Sequence, residues 1–215
     1  MTLIIAAHGK DFVVLGADSR GTNEGTGGMV QTSTAIKMHP VGRLAVVLIC
    51  GQAGPASNLV DLLSKTAPKK PEGVRAVATR LARLARREAT ELKTVPTHPS
   101  YFPDFAFIVT GLDRAPKGIL RPKTFALRSE TGFRLELSQG GREMDGQPLI
   151  PEYLFEKQFR EEMPLEELCG LVAQAMFDTA RINAYVGGRL RMGIVDKDGF
   201  RELPLDVVRS YIKEW

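Results

Sequence analysis

Residues 2–18 read TLIIAAHGKDFVVLGAD, and this stretch decides the fold class. Two short apolar runs rich in β-branched residues, Thr2–Ala7 and Phe12–Ala17, are separated by His8-Gly9-Lys10-Asp11. β-Branched residues favour strands, and a short polar linker containing Gly and Asp favours a tight reversal. The stretch therefore predicts an antiparallel β-hairpin.

After this hairpin, runs of strands alternate with pairs of helices. Beyond a glycine- and threonine-rich loop at 21–34, we predict a buried strand at 43–50, helices at 55–65 and 71–93, strands at 105–112, 125–129 and 133–137, helices at 152–159 and 164–183, and a strand at 190–195. This order does not suit a parallel βαβ sheet. It suits two antiparallel sheets packed face to face, with a helix pair on each outer face. The expected fold class is α/β (α+β), a four-layer αββα sandwich made by one domain spanning residues 1–215.

The composition is that of an ordinary globular protein. Of the 215 residues, 43% are hydrophobic and 25% are charged. A run of about 18 apolar residues, which a membrane-spanning helix needs, is absent from the sequence, and so is a secretory signal. Cys50 and Cys169 lie in apolar segments without metal-ligand spacing, which favours buried free thiols in a reducing compartment. We therefore expect a cytoplasmic protein with no metal, cofactor or membrane partner.

The net charge of +4 raises the question of a nucleic-acid partner. Much of this charge lies on the predicted helix at 71–93, where apolar residues recur at three- and four-residue steps and leave one basic face. Base-stacking aromatic residues do not interleave with these arginines. We interpret the basic face as solvated or in contact with another subunit, and we expect no nucleic acid.

The candidate chemistry begins at Thr2, which directly follows the initiator methionine. A small second residue permits removal of Met1, and Thr2 would then carry a hydroxyl and a free α-amine. That amine has a reference pKa of about 7.7–8.0, so it can act as a general base without a histidine. His8, His39 and His98 lack the spacing of a metal site or triad and are interpreted as structural.

Three further residues fit the same mechanism. Lys37 is a lone cation after an apolar pair, and an ammonium near a threonine hydroxyl favours the alkoxide. Asp18 follows the second strand and can hold that lysine charged and oriented. Gly51 ends a buried strand, where its N–H can approach a substrate carbonyl as an oxyanion donor.

The whole chain resembles proteasome β subunits and their bacterial relatives, a family of N-terminal-nucleophile hydrolases. The matching pieces are Thr2 with its strand, residues 14–20 (VLGADSR), Lys37, residues 51–54 (GQAG), residues 184–188 (AYVGG) and residues 196–200 (DKDGF). Any one of these pieces is weak. Their order over the full length is specific, and the short segment before the first strand favours a β-type catalytic subunit over an α-type one.

The resemblance implies a threonine peptidase that hydrolyses polypeptides inside stacked rings of identical subunits, and it leaves open an ATPase unfoldase as a partner. It implies Thr2 as nucleophile, Asp18 and Lys37 as its electrostatic support, and the Gly51 N–H as oxyanion donor. Ala35, Ile49 and Ala53 would line the subsite for the residue before the cut, with Arg20 and Asn183 in supporting positions.

The chain departs from the family at three places. Asn183 replaces an aspartate, Val186 replaces a serine, and residues 145–148 (DGQP) replace a Gly-Ser-Gly-Ser stretch. In the family these groups hydrogen-bond the threonine amine and its water, so their loss predicts an activity reduced by about 10- to 100-fold. Two alternatives therefore stand beside the peptidase: a ring-forming subunit with a silent site, and an amidase or transpeptidase on the same fold.

Overall fold

The computed structural model describes residues 2–25, 28–68, 72–94, 104–115 and 118–212. The strands in these ranges are β1 (Leu3–His8), β2 (Val13–Ala17), β3 (Gly21–Gly25), β4 (Gly28–Thr32), β5 (Met38–Val41), β6 (Ala45–Gly51), β7 (Phe105–Arg114), β8 (Leu120–Arg128), β9 (Glu136–Leu137), β10 (Arg142–Gly146), β11 (Arg191–Asp196) and β12 (Gly199–Glu202). The helices are α1 (Ala53–Lys65), α2 (Val74–Thr94), α3 (Leu149–Gln158), α4 (Leu165–Ile182) and α5 (Leu205–Ser210).

Two five-stranded sheets form the centre of the molecule. The first has the order β10-β1-β2-β11-β12 and the second has the order β5-β6-β7-β8-β9. Every pairing in them is antiparallel, including the predicted hairpin of β1 with β2. β3 and β4 form a separate two-stranded hairpin.

The alternation of side chains along β1 accounts for the layering. Leu3 and Ile5 lie in the apolar core beneath α3 and α4, whereas Ile4 and Ala6 lie in the core between the two sheets. On the other sheet, Val47 faces the core beneath α1 and α2. Successive residues of a strand point to opposite faces, so a strand apolar at every position is buried on both sides. The four-layer αββα sandwich is confirmed.

Several predicted elements differ from the observed ones. The stretch at 21–34 was expected to be a loop but contains the β3–β4 hairpin, whose glycine-rich strands lack an apolar alternation. The expected strand at 133–137 is reduced to Glu136–Leu137, because Phe133 has a positive φ of 54° that breaks the extended chain. β5 and β10 were not predicted. Both are edge strands. The sequence of β10, REMDG, is mostly polar, so no apolar pattern indicates that it pairs with β1.

Other expectations about the chain are also resolved. Cys50 and Cys169 are free and buried, as predicted. Among the helices in the described ranges, none combines the length and apolar character needed to cross a bilayer. The predicted start of the second helix at residue 71 lies outside the described residues, and the observed helix α2 begins at Val74.

Candidate active site

The end of β2 delivers a buried carboxylate. Asp18 follows Ala17 directly and is fully buried. Its Oδ1 accepts hydrogen bonds from the Leu3 N–H at 2.9 Å and the Lys37 Nζ at 2.7 Å. Its Oδ2 accepts from the Arg20 N–H and the Gly187 N–H, both at 3.1 Å. Four donors thus compensate a charge that has lost its water.

Lys37 is the counter-ion of this carboxylate and is itself only 5% exposed. Its ammonium also donates to the Arg20 carbonyl at 2.6 Å. Burial lowers the pKa of Lys37, and the adjacent Asp18 carboxylate opposes that shift. The Lys37 carbonyl accepts the Ile49 N–H at 2.9 Å, which ties this segment to β6 two residues before Gly51.

Thr2 lies next to this pair because Leu3, its neighbour in the chain, is bound to Asp18. Thr2 is almost completely buried, and its carbonyl packs directly against the Cα of Gly146. Gly146 has φ +93°, and a Cβ there would overlap the Thr2 carbonyl oxygen. Only glycine fits this position, for both steric and conformational reasons. Met1 lies outside the described residues.

Gly51 occupies the last position of β6 with φ +84°. A Cβ at this position would overlap the Asp104 carbonyl oxygen. The backbone conformation therefore requires glycine here, independently of any role of the Gly51 N–H in catalysis. Its role as oxyanion donor stays a prediction.

A late segment of the chain wraps around residues 18–20. Arg20 Nη1 donates to the Ala184 carbonyl at 2.5 Å, and the Ser19 N–H donates to the Gly187 carbonyl at 3.1 Å. Gly188 has φ +71°, and a Cβ there would lie 2.7 Å from the Ser19 Oγ. The segments at 18–20 and 184–188, some 165 residues apart in the sequence, thus pack against each other. Arg20 thus contacts this late segment, and its supporting role in the site stays a prediction.

Asn183 directly follows α4 as its C-cap, and both halves of its amide are engaged. Its Oδ1 accepts the Tyr185 N–H at 2.9 Å and its Nδ2 donates to the Gln147 Oε1 at 2.7 Å. Val186 is fully buried in the core beneath α3 and α4. Sequence reasoning noticed both substitutions but missed Gln147 as the partner of Asn183. The signal was present, since Gln147 stands in the segment that replaces the family's serines.

The three predicted subsite residues lie in different environments. Ala35 is half-buried and its N–H donates to the Ser19 carbonyl at 2.9 Å. Ile49 is buried in the core beneath α1 and α2, and Ala53 is the exposed first residue of α1. A common pocket lined by all three stays a prediction.

The two histidines that the structure describes bond to groups other than Thr2, Asp18 and Lys37. His8 Nε2 is 2.7 Å from the hydroxyl of Thr124, which lies on β8 in the second sheet. Burial lowers the pKa of His8 to about 4, so the ring is neutral at physiological pH. His39 lies near the Ile36 carbonyl, and His98 lies outside the described residues.

A four-layer αββα sandwich whose first strand begins beside a buried carboxylate–ammonium pair is the arrangement that the resemblance to N-terminal-nucleophile hydrolases predicts.

Comparisons with known proteins agree with this resemblance. A family model described as proteasome subunit matches residues 2–93. The proteasome subunit beta of Methanosarcina barkeri is 24% identical over 208 residues, which are 93% of this chain and 88% of that protein. The corresponding subunit of Picrophilus torridus is 24% identical over 217 residues, 99% of this chain and 94% of that protein.

A solved structure matches over the full length. The Anbu (Gly-1) mutant from Hyphomicrobium sp. strain MC1 superimposes with a TM-score of 0.76 at 19% identity, covering 100% of this chain and 93% of that one. At this identity the match concerns the fold. Together the comparisons confirm the resemblance that the motifs indicated: the chain is similar to proteasome β subunits over most of its length, and to the Anbu structure in its fold.

Proposed function

We propose that this chain is a threonine peptidase, the catalytic subunit of a cytoplasmic, self-compartmentalising ring that hydrolyses peptide bonds of unfolded proteins. The observation that carries the proposal is the buried Asp18–Lys37 pair. Asp18 accepts the N–H of Leu3, the residue that directly follows Thr2. A buried ion pair costs desolvation free energy and is a poor stabilising device. Its position beside a hydroxyl-bearing residue therefore supports a chemical role.

Thr2 would act as both nucleophile and base. Removal of Met1 frees the α-amine, whose pKa of about 7.7–8.0 suits proton transfer near neutral pH. The amine takes the hydroxyl proton while the Thr2 oxygen attacks the substrate carbonyl carbon. When the tetrahedral intermediate collapses, the proton passes to the leaving amine. Water then hydrolyses the ester and regenerates the free Thr2.

Lys37 and Gly51 would stabilise the charges that develop during this reaction. Asp18 and the Arg20 carbonyl hold two of the three ammonium N–H donors of Lys37. The third N–H would favour the Thr2 alkoxide, and the Gly51 N–H would receive the oxyanion. Because the Asp104 carbonyl already requires glycine at position 51, a substitution there would test the conformation and not the donor.

The substrate would be an extended polypeptide, with Ala35, Ile49 and Ala53 lining the subsite for the residue before the cut. These side chains are small or apolar. Cleavage after hydrophobic residues should therefore exceed cleavage after charged ones. A single apolar contact of methylene size contributes about 1–3 kcal/mol, so the preference should be graded.

Assembly into stacked rings would use the outer face of α3 and α4. Three large apolar side chains there are strongly exposed: Leu149 at 80%, Tyr153 at 61% and Ile182 at 74%. Leu149 and Tyr153 are four residues apart on α3 and therefore share a face, and α3 packs against α4. An exposed apolar patch of this kind favours a protein–protein contact. It supports a contact between rings through these helices.

A second candidate, a ring-forming subunit with a silent site, is favoured by Asn183 and Val186. The Asn183 amide is engaged by Gln147 and Tyr185, and Val186 belongs to the apolar core. Neither side chain supplies the carboxylate and hydroxyl that the resemblance associates with the amine. Asn183→Asp combined with Val186→Ser should raise turnover more than it changes substrate affinity, although serine at the buried position 186 will lower stability.

Two measurements test the peptidase. Intact-mass spectrometry should find a chain without Met1, because retained Met1 blocks the α-amine. Thr2→Ala should abolish hydrolysis of fluorogenic peptides while folding and assembly persist, and Thr79→Ala, an exposed threonine on α2, should leave the rate unchanged. Retained Met1 in folded protein, or full activity in Thr2→Ala, would reject the proposal. A processed chain that assembles but hydrolyses no peptide would favour the silent subunit.

A further inference from the structure

A single guanidinium joins the edges of the two sheets. Arg128 is the last residue of β8, and its Nη1 donates to Glu136 of β9 at 3.0 Å. Its Nη2 donates to Glu143 at 2.6 Å and its Nε donates to Asp145 at 2.9 Å, and both carboxylates belong to β10. β9 is the edge strand of one sheet and β10 is the edge strand of the other. Arg128 thus closes the sandwich on this side.

The contact needs an arginine. The Arg128 side chain is 21% exposed, and each of its three guanidinium nitrogens donates to a different carboxylate. Burial acts to lower the pKa of Arg128, but the hydrogen bonds and charges of Glu143 and Asp145 outweigh burial and raise it. The planar fork of a guanidinium satisfies such a set at once, whereas a lysine ammonium cannot span it.

The contact leads directly to Thr2. The second oxygen of Asp145, Oδ1, accepts the Gly146 N–H at 2.8 Å. Gly146 pairs with Leu3 in the sheet, and its Cα supports the Thr2 carbonyl without room for a side chain. The position of β10 therefore determines where the backbone of Thr2 lies.

We propose that Arg128 is a positioning residue for Thr2: through Asp145 it holds β10 in the register at which Gly146 supports the Thr2 backbone. This inference rests on the proposed peptidase function. A displacement of about 1 Å from a remote change can cost on the order of 100-fold in rate, because a reacting group must be held in near-attack geometry. Loss of Arg128 should act on turnover and not on peptide binding.

The test compares Arg128→Met with Arg80→Met. Arg80 is a matched control, since its side chain is 20% exposed and pairs with Glu72, but it lies in the helix layer and also donates to the Leu63 carbonyl. Arg128→Met should lower kcat about 10- to 100-fold and change KM less than about twofold. Arg80→Met should change neither. Equal kcat values in the two variants, or an effect on KM alone, would overturn the inference.

Arg128→Lys covers the case in which Arg128→Met does not fold. It keeps the charge but not the fork, so it should retain the fold and still lower kcat. Full activity in Arg128→Lys would show that charge alone suffices, which contradicts positioning by the fork.

Hydrogen exchange gives a readout that does not depend on activity. In Arg128→Met or Arg128→Lys, the amides of residues 142–146 should exchange at least about tenfold faster than in the wild type, because β10 loses its anchor to the second sheet. In Arg80→Met they should be unchanged. If the wild-type chain hydrolyses no peptide, the proposed function fails and exchange alone decides the positioning role. Unchanged exchange at 142–146 would overturn it.

Discussion

Replacing Lys37 by methionine is expected to cost less folding free energy than replacing Asp18 by alanine, although each substitution breaks the same buried ion pair. The asymmetry follows from the partners left behind. Without Lys37, the Asp18 carboxylate keeps three N–H donors, from Leu3, Arg20 and Gly187. Without Asp18, these donors lose their acceptor and the ammonium keeps only the Arg20 carbonyl.

The magnitudes follow from these lists of partners. Lys37→Met removes two charge-assisted hydrogen bonds, one to a carboxylate that three N–H groups still stabilise and one to the Arg20 carbonyl, each worth about 1.5–3 kcal/mol. We expect a cost near 3 kcal/mol, about the lower limit for the two bonds together. Asp18→Ala strands a buried charge at about 3–5 kcal/mol and leaves three N–H donors without their acceptor at about 1 kcal/mol each. The total of roughly 6–8 kcal/mol reaches the whole stability of many domains.

Denaturant unfolding of the two variants measures the difference, and fluorogenic peptide hydrolysis measures the chemistry. Lys37→Met should remain folded and yet be almost inactive, which separates the catalytic role from the structural one. Arg87→Met is the control, because Arg87 forms a pair with Glu91 whose side chains are 79% and 58% exposed. Such an exposed pair should contribute little to the free energy of unfolding. Equal costs for Lys37→Met and Asp18→Ala, or an active Lys37→Met, would refute the reasoning.

Three further outcomes are expected. The folded chain keeps His8 neutral because burial lowers its pKa from 6.5 to about 4, so between these pH values the proton binds mainly to the unfolded chain. The free energy of unfolding should therefore fall by up to about 3 kcal/mol from pH 6.5 to 4. His8→Gln should flatten this dependence in unfolding experiments at several pH values. Gly146→Ala should cost more than about 2 kcal/mol and abolish hydrolysis by displacing Thr2, whereas Gly140→Ala, with φ +68° and open space around it, should cost only about 1 kcal/mol in thermal unfolding and keep activity. Tyr153→Glu should change monomer stability by under about 0.5 kcal/mol but dissociate the assembly in sedimentation experiments, and an unchanged sedimentation coefficient would remove Tyr153 from the contact.

The elements with a strong apolar pattern were predictable from the sequence. The β1–β2 hairpin, the long helices and the four layers follow from runs apolar at every position and from stripes at helical spacing. β10 could not be predicted in this way. Its residues are mostly polar, and as a strand it pairs with the edge of β1 while Arg128 donates to its two carboxylates.

The candidate site divides in the same manner. The sequence by itself determined the residue types and their order, since Thr2, Asp18, Lys37 and Gly51 follow one another in the order that the resemblance implies. Only the tertiary structure decided what each one touches. The Gly187 N–H that binds Asp18 lies more than 100 positions away from it in the chain, and so does Gly146 from the Thr2 carbonyl that it supports. Such contacts form when strands pair and sheets pack, and no local pattern encodes them, because one strand's register depends on its neighbours.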